Sequence, residues 1–430
     1  MSEDGKGDSV TVKKSMDVQG NHFIYQEETE KSLKVLDYDY KRCTGCGLCV
    51  VVCPVDALEL GPIKEIATGM DSPPVMMDID KCTFCGMCAG FCPVKAFKMD
   101  ITGQFPQKDE YPKLDSGVQI NEKCLPCTLC ERSCPEDAIT VEFLIPKKDE
   151  IAPFDESAEG SIEIDENKCN LCGVCSIFCE AFVMVEREPD PVDPLPYEQI
   201  LVDEDKCDYC GLCVGLCPED AIRTTGGTEN KYQVPSLEGK VTIDDDLCTR
   251  CSWCSAVCPY DAVCVKKPFE GQIILRENNV EKCDPHGCHG CFNVCPSHLW
   301  YVPENNDIGH KIAMKDEYCI YCGACVNACP HDVMKVSREK VRHTDIPESP
   351  WAFQWKDAIE SIVTSKRCHP DTSRSIELEK EGPKEYVEVK IPEVDESYLI
   401  AAKESLEKAK STFKNMKFRK RIEKSDKEDQ

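Results

Sequence analysis

The chain has 430 residues, 34 of them cysteine, and carries a formal net charge of −28. So acidic a surface excludes a nucleic-acid partner, whose phosphates call for lysine and arginine, and suits basic patches on protein partners. No stretch of about 18 apolar residues is present to span a membrane, and the polar start, Met1 to Val10, lacks the apolar core of a secretion signal.

Residues 1–32 read as a flexible, charged leader. From there one pattern repeats, C-x2-C-x2-C-x3-C-P, the spacing with which bacterial ferredoxins hold [4Fe–4S] clusters. Run 1 is Cys43, Cys46, Cys49 and Cys53; run 2 is Cys82, Cys85, Cys88 and Cys92. Runs 3 and 4 are Cys124, Cys127, Cys130, Cys134 and Cys169, Cys172, Cys175, Cys179. Runs 5 and 6 are Cys207, Cys210, Cys213, Cys217 and Cys248, Cys251, Cys254, Cys258. Runs 7 and 8 are Cys283, Cys288, Cys291, Cys295 and Cys319, Cys322, Cys325, Cys329. Their first cysteines recur every 35 to 45 residues, and a repeat of that period outweighs any local secondary-structure reading.

Each unit has one plan. A short strand leads in, as in Leu33–Tyr40, Val75–Ile79, Ser161–Ile164 and Lys240–Ile243. The four cysteines follow, then Pro-x-Asp-Ala or a variant, then a strand out, as in Ala57–Leu60 and Ala138–Glu142. A unit below about 40 residues needs metal, disulfides or association to fold. The clusters are therefore expected to be the core, with folding and loading one event. Ala262 to Lys267 and Gln272 to Arg276, around Pro268-Phe269-Glu270-Gly271, read as a hairpin between runs 6 and 7. After Arg342 a helical stripe appears (Trp355, Ala358, Ile359, Ile362, Val363), then a strand over Tyr386–Ile391 and a helix over Glu396–Lys424. Residues 401–430 hold ten Lys or Arg against six Asp or Glu, which fits a solvated helix or one docked on an acidic partner.

Two residues between the first three cysteines let a tight loop wrap one cube. The third and fourth, four apart, share a face of a short helix. In two-cluster ferredoxins that helix lies between the clusters, and the fourth cysteine ligates the other one. Run 4 has Glu180 in place of the proline, and run 7 has four residues in its first gap, but both keep four cysteines. Zinc also takes four thiolates, though in two separated pairs. A complete set of four leaves no open iron for substrate, so closed sites carry electrons. Eight [4Fe–4S] clusters, each about −2 with its thiolates, would take the loaded protein to about −44.

Sequential pairing would make module 1 of Cys43, Cys46, Cys49 with Cys92, and Cys82, Cys85, Cys88 with Cys53, and so on. The spacers between runs, 23 to 34 residues, do not prove this register and leave a shifted or nested one open. The expected fold is α+β: a tandem array of four two-[4Fe–4S] bacterial-ferredoxin-like modules with a helical C-terminal extension. The modules cover 33–105, 106–190, 191–270 and 271–342, and the extension 343–430. Cys264, inside a strand, reads as a buried thiol, and Cys368 lacks companions for a metal site. His286, His289, His331 and Arg250, beside cluster cysteines, are candidates for tuning a cluster. No Walker loop, HExxH or serine-hydrolase elbow appears.

Residues from about 33 to 340 resemble archaeal polyferredoxins, tandem two-cluster modules in one chain. The eight runs, with the Cys-x4-Cys variant in run 7, are most similar to the iron–sulfur F subunits of formylmethanofuran dehydrogenase. A leaderless, cysteine-rich chain is expected in a reducing cytoplasm, its thiolates committed to metal. The resemblance implies no catalysis by this chain itself, a part in methanogenesis, and two partner subunits. A tungsten- or molybdenum-pterin subunit reduces CO2 to formate, an amidohydrolase subunit condenses it with methanofuran, and this chain brings low-potential electrons. Heterodisulfide reductase or ferredoxin is a further partner. A polyferredoxin of a hydrogenase or heterodisulfide reductase, and a metal-binding scaffold without redox function, are the other readings.

Overall fold

Each cysteine run folds as a loop that closes into a single helical turn carrying the third cysteine. These turns are Leu48–Val51, Met87–Gly90, Leu129–Arg132, Val174–Phe178, Leu212–Leu216, Trp253–Ala256, Gly290–Asn293 and Ala324–Ala328. Proline stops most of them, since it can neither donate to the previous turn nor fit beside it. One or two residues on, Asp56, Asp137, Asp220, Asp261 and Asp332 adopt positive φ of 48–53°, a region aspartate tolerates. The chain thereby doubles back and leaves as a strand.

The structure is a computed structural model that describes residues 12–103, 112–227, 232–303, 311–346 and 352–364. These fall in the unit Met1–Pro370; Cys368 and the second unit, Asp371–Gln430, with the expected 386–391 strand and basic helix, lie outside the described residues. In chain order the strands are β1 (Lys13–Gln19), β2 (His22–Glu28), β3 (Ser32–Asp39), β4 (Leu58–Leu60), β5 (Val75–Met77) and β6 (Phe97–Gly103). Then come β7 (Gly117–Ile120), β8 (Ile139–Phe143), β9 (Gly160–Ile164), β10 (Phe182–Glu186), β11 (Tyr197–Val202) and β12 (Ile222–Gly226). The last are β13 (Gly239–Ile243), β14 (Val263–Lys266), β15 (Phe269–Leu275), β16 (Trp300–Tyr301), β17 (Ala313–Met314) and β18 (Met334–Val341).

Every pairing is antiparallel, and the pairings decide which runs belong together. β3–β6 and β4–β5 join runs 1 and 2; β15–β18 and β16–β17 join runs 7 and 8. Between them the order is not sequential. β7 pairs β14 and β8 pairs β13, which joins run 3 to run 6. β9 pairs β12 and β10 pairs β11, which joins run 4 to run 5. The boundaries 106–190 and 191–270 are therefore wrong: the pair 4/5 is inserted inside the pair 3/6. Side-chain matching explains the register. Ile139 lies opposite Ile243 and Val141 opposite Val241, and with Val118, Val263 and Val265 they close a core around Cys254. Phe182 opposite Val202, with Ile200 and Ile222, does the same for the inner pair around Cys213.

Three other expectations are corrected. Lys13 to Glu28, read as leader, forms the β1–β2 hairpin, which extends the β3–β6 sheet to four strands. Its turn is Gly20-Asn21, with Gly20 at φ +61°, a two-residue hairpin signal that the charged composition masks. Residues 262–276 do not form a hairpin, because β14 and β15 enter different sheets. Cys264 is exposed rather than buried: alternation along β14 turns Val263 and Val265 inward and Cys264 out.

The stripe at Trp355 lies on a helix, Ala352–Thr364. Trp355, Ala358 and Ile362 are buried against Leu48, Met87, Phe91 and Phe269. The Trp355 and Phe91 rings stack at 4.1 Å, and a side chain at Gly90 would strike the indole at 2.7 Å. Trp355→Ala is expected to cost about 3–5 kcal/mol by cavity formation. Faster proteolysis between residues 346 and 364, with runs 3 to 6 unaffected, would register the loss.

Candidate metal centres

The helical turn that ends each run hands its fourth cysteine to the partner run. Three pockets display the outcome. One is lined by Cys82, Cys85, Cys88 and, from run 1, Cys53. Another is lined by Cys169, Cys172, Cys175 and, from run 5, Cys217. The third has Cys319, Cys322, Cys325 and, from run 7, Cys295. The electrostatic neighbours of the remaining thiols complete the scheme. Cys43, Cys46 and Cys49 face Cys92. Cys124, Cys127 and Cys130 face Cys258, and Cys248, Cys251 and Cys254 face Cys134. Cys207 and Cys213 face Cys179 with Cys210 beside them, and Cys283, Cys288 and Cys291 face Cys329. Each site is named below by the run that supplies three of its thiols. All 32 run cysteines are used, and run 4 without its proline and run 7 with its wide gap are no exception.

The donor set fits a cube rather than an ion. Among the described residues no three His, Cys, Asp or Glu side chains converge as a single metal requires, whereas four thiols ring each cavity. Burial pushes these thiols up, Cys46, Cys127 and Cys172 to about 12, so thiolates here call for metal to hold them. The turn after six of the eight runs also points an N–H at the fourth sulfur. Ala57 donates to Cys53 at 3.3 Å, Ala96 to Cys92 at 3.2 Å, Ala138 to Cys134 at 3.3 Å, and Ala221, Ala262 and Val333 do likewise. This is the physical content of the Pro-x-Asp-Ala motif. Thr83 turns its hydroxyl to Cys85, and the buried Thr249 hydroxyl, two residues before Cys251, has no protein partner. The buried hydroxyls of Thr44, Ser133 and Ser297, beside ligand positions, have no protein partner; the inorganic sulfides of a cluster would accept from them.

Cations from distant parts of the chain, which no sequence spacing announces, fasten these loops. Lys14 of β1 donates to the carbonyls of Ile79, Asp80 and Cys82 at 3.1, 3.1 and 2.6 Å. Lys311 reaches the Cys283 carbonyl at 2.9 Å and Lys267 the Cys319 carbonyl at 3.0 Å. Arg250 binds the carbonyls of Asp245 and Cys248 within its own run. His286, His289 and His331 are exposed, and the His289 ring bonds the His286 carbonyl at 3.1 Å rather than a thiol. Burial pushes the Lys267 ammonium down, against the upward pull of Cys319, Cys251, Asp316 and Glu317. At site 5, Lys148 meets Asp208 at 2.6 Å with both side chains about 95 % buried. Lys148→Met leaves that carboxylate unpaired and is expected to cost about 3–5 kcal/mol. Adding Asp208→Asn should recover most of it in a denaturant titration.

Sites of different pairs also touch. Thr128 donates from its backbone to Cys172 at 3.0 Å, which brings sites 3 and 4 together. The first charge neighbour of the Cys46 thiol is Cys322, which brings sites 1 and 8 together. Asn327 holds that joint by donating to the Gly45 carbonyl at 2.8 Å. Lys267 faces both Cys251 and Cys319, across the joint of sites 6 and 8, and Tyr318, next to Cys319 in the chain, faces Cys251. Trp253 packs on Tyr318 with rings 5.3 Å apart and donates to the Ser297 carbonyl at 2.9 Å. Site 8 thus adjoins site 7 of its own pair and one site from each of two others.

This fold and these thiol sets define an iron–sulfur protein of the tandem ferredoxin class. The family of 4Fe-4S dicluster domains matches residues 42–96, 203–262 and 282–333. The middle match covers runs 5 and 6, consecutive in sequence but in different pairs in space. Within the class the chain is like archaeal polyferredoxin FwdF. It is 40% identical over 111 residues to the FwdF of Methanocaldococcus jannaschii, covering 25% of this chain and 31% of that one. It is 38% identical over 101 residues to NADH-quinone oxidoreductase subunit I of Pelobacter propionicus, 20% and 54% of the two chains. The match therefore spans a third to a half of these relatives' length. A chain of the formate dehydrogenase–heterodisulfide reductase–formylmethanofuran dehydrogenase complex of Methanospirillum hungatei superposes with a TM-score of 0.54 and 26% identity, over 81% of this chain and 91% of that one. Among the described residues no helix is long and apolar enough to cross a membrane.

Proposed function

We propose that the chain is an electron-transfer subunit holding eight [4Fe–4S] clusters in four two-cluster modules. It relays low-potential electrons to the tungsten or molybdenum site of formylmethanofuran dehydrogenase for CO2 reduction in methanogenesis. It has no catalytic site of its own, and the 32 run cysteines are the ligands. The observation that carries this reading is the exchange of the fourth cysteine between runs, which makes each thiol set a closed site. A likeness to a chain of a complex containing formylmethanofuran dehydrogenase, over most of both chains, supports the client.

When bound, the clusters supply one-electron transfer between the 2+ and 1+ core states. The chain does the rest. The third-to-fourth cysteine turns lie between paired sites and fix their separation. Phe84, Met87, Phe91, Leu129, Leu212 and Trp253, all at most 3 % exposed, exclude water. Backbone N–H groups aimed at the sulfurs favour the more negative state. Heterodisulfide reductase, which the same complex contains, is the second candidate client.

Elemental analysis of the complex purified without oxygen through a tag on this chain tests the reading. About 32 iron from this subunit, with tungsten or molybdenum co-purifying, is the expected result. Nickel without either would move the chain to a hydrogenase, and zinc in place of iron would overturn the electron-transfer reading.

A further inference from the structure

Of the cations near the thiols, Lys14, Lys311 and Arg250 each serve one site, and Arg42, a charge neighbour of Cys92, is tied by the Val94 and Leu247 carbonyls. Two others lie between sites. The Arg338 guanidinium, on β18, faces Cys322, Cys319 and Cys325 of site 8 and Cys46 of site 1. It is fixed by Nε donating to the Tyr321 carbonyl at 2.7 Å, by a second bond to the Cys322 carbonyl, and by the Phe269 ring 5.6 Å away. Gly323 makes room for it: its φ is +88°, and a side chain there would come within 2.9 Å of the guanidinium. Lys267 lies between Cys319 of site 8 and Cys251 of site 6, its ammonium bonded to the carbonyls of Glu317 and Cys319, with the Asp316 and Glu317 carboxylates also near it. The joint of sites 3 and 4 is different. Thr128, Asn170 and Tyr260 fill it, all neutral, and the charge beside it is Glu219.

We propose that Arg338 and Lys267 are positioning residues that make site 8, where three pairs meet, the electron well of the chain. A fixed cation in a water-poor joint favours the extra electron on the clusters beside it, because charge near the sulfurs sets their potential. Site 8 is the one site that both cations share. An electron passed on from a one-electron donor of low potential, which is oxidised by one unit as site 8 is reduced by one, needs no proton and no bond change. Electrons entering by any arm therefore collect at the junction before they leave by another. The inference rests on the cluster-carrying function proposed above.

The test is a redox titration followed by EPR on the full chain with its clusters, iron being counted first. Arg338→Gln is expected to lower the electron affinity of the component that titrates at the highest potential by tenfold or more, which is at least about 59 mV for one electron. Lys267→Gln should move that same component downward. Arg338→Lys, which keeps the charge, should restore most of it, and Lys311→Gln at site 7 should leave it in place. An unmoved top component with iron retained overturns the proposal. So does a shift of different components by the Arg338 and Lys267 variants, or a uniform shift of all of them. Should Arg338→Gln lose iron, Arg338→Lys and Lys267→Gln read the same site. Absence of iron from the native chain would instead defeat the function itself.

Discussion

Removing iron and sulfide under anaerobic, reducing conditions is expected to unfold most of this chain, with far-UV circular dichroism losing its strand and helix signal. The sheets show why. Among the described residues seven of the eight have two strands, and an isolated two-stranded sheet is marginal in water. The helical turns in the runs have four or five residues, too few to persist alone. What these elements pack against is thiol. Cys49, Cys82, Cys88 and Cys322 belong to the largest apolar cluster, and Cys251, Cys295, Cys319 and Cys325 to the next. Three of the sites line pockets ringed by four cysteines each. The β1-β2-β3-β6 sheet is the part best able to survive, with Tyr25, Leu36 and Tyr38 buried and Tyr38 stacked on Phe97 at 4.2 Å. A native-like spectrum after full removal of metal would sink the idea that the clusters are the core.

Cys217→Ala should expose Cys169, Cys172 and Cys175 to an alkylating reagent and leave Cys248, Cys251 and Cys254 protected. In the nested register Cys217 closes the site of run 4. Had neighbouring runs paired in sequence, as 5 with 6, the same substitution would free the run 6 thiols instead. Iron should fall by up to about four per chain, the content of one cube. The reciprocal change, Cys134→Ala, should free Cys248, Cys251 and Cys254, since Cys134 faces them. Mass spectrometry of the labelled peptides distinguishes the two registers, and labelling of the run 6 thiols after Cys217→Ala would overturn the nesting. Position in the fold gives the result a further use. Sites 4 and 5 lie on an arm joined to the rest through the Thr128–Cys172 joint, so their damage should leave the other sites loaded.

The local chemistry was open to reading because it is local. Three cysteines at spacing two, one more at spacing three and a proline are a complete description of a loop and a helical turn, whatever surrounds them. The exit turn was visible too, as Pro-x-Asp-Ala, although its purpose needed coordinates: the alanine N–H aimed at the fourth sulfur. Gly20-Asn21 was present in the sequence as a turn signal and was outweighed by the charge around it. Cys264 was misread because membership of a strand does not say which face is covered.

From the sequence alone follow the number of thiol sets, their likeness to ferredoxin sites, and the expectation that electrons rather than substrates pass through. These depend on residues within eleven or twelve positions of one another. Which run completes which site is another matter. β8 could have paired with any of several short β-branched strands, and spacers of 23 to 34 residues bar none of them. The register was decided by matches such as Ile139 with Ile243 and Val141 with Val241, a hundred residues apart. So were the joints: Arg338 reaches Cys46 across nearly three hundred residues, and Lys14 reaches Cys82 across sixty-eight. Short-range geometry writes a cluster-binding loop into the chain, while the neighbours and charges of each site are properties of the packed whole.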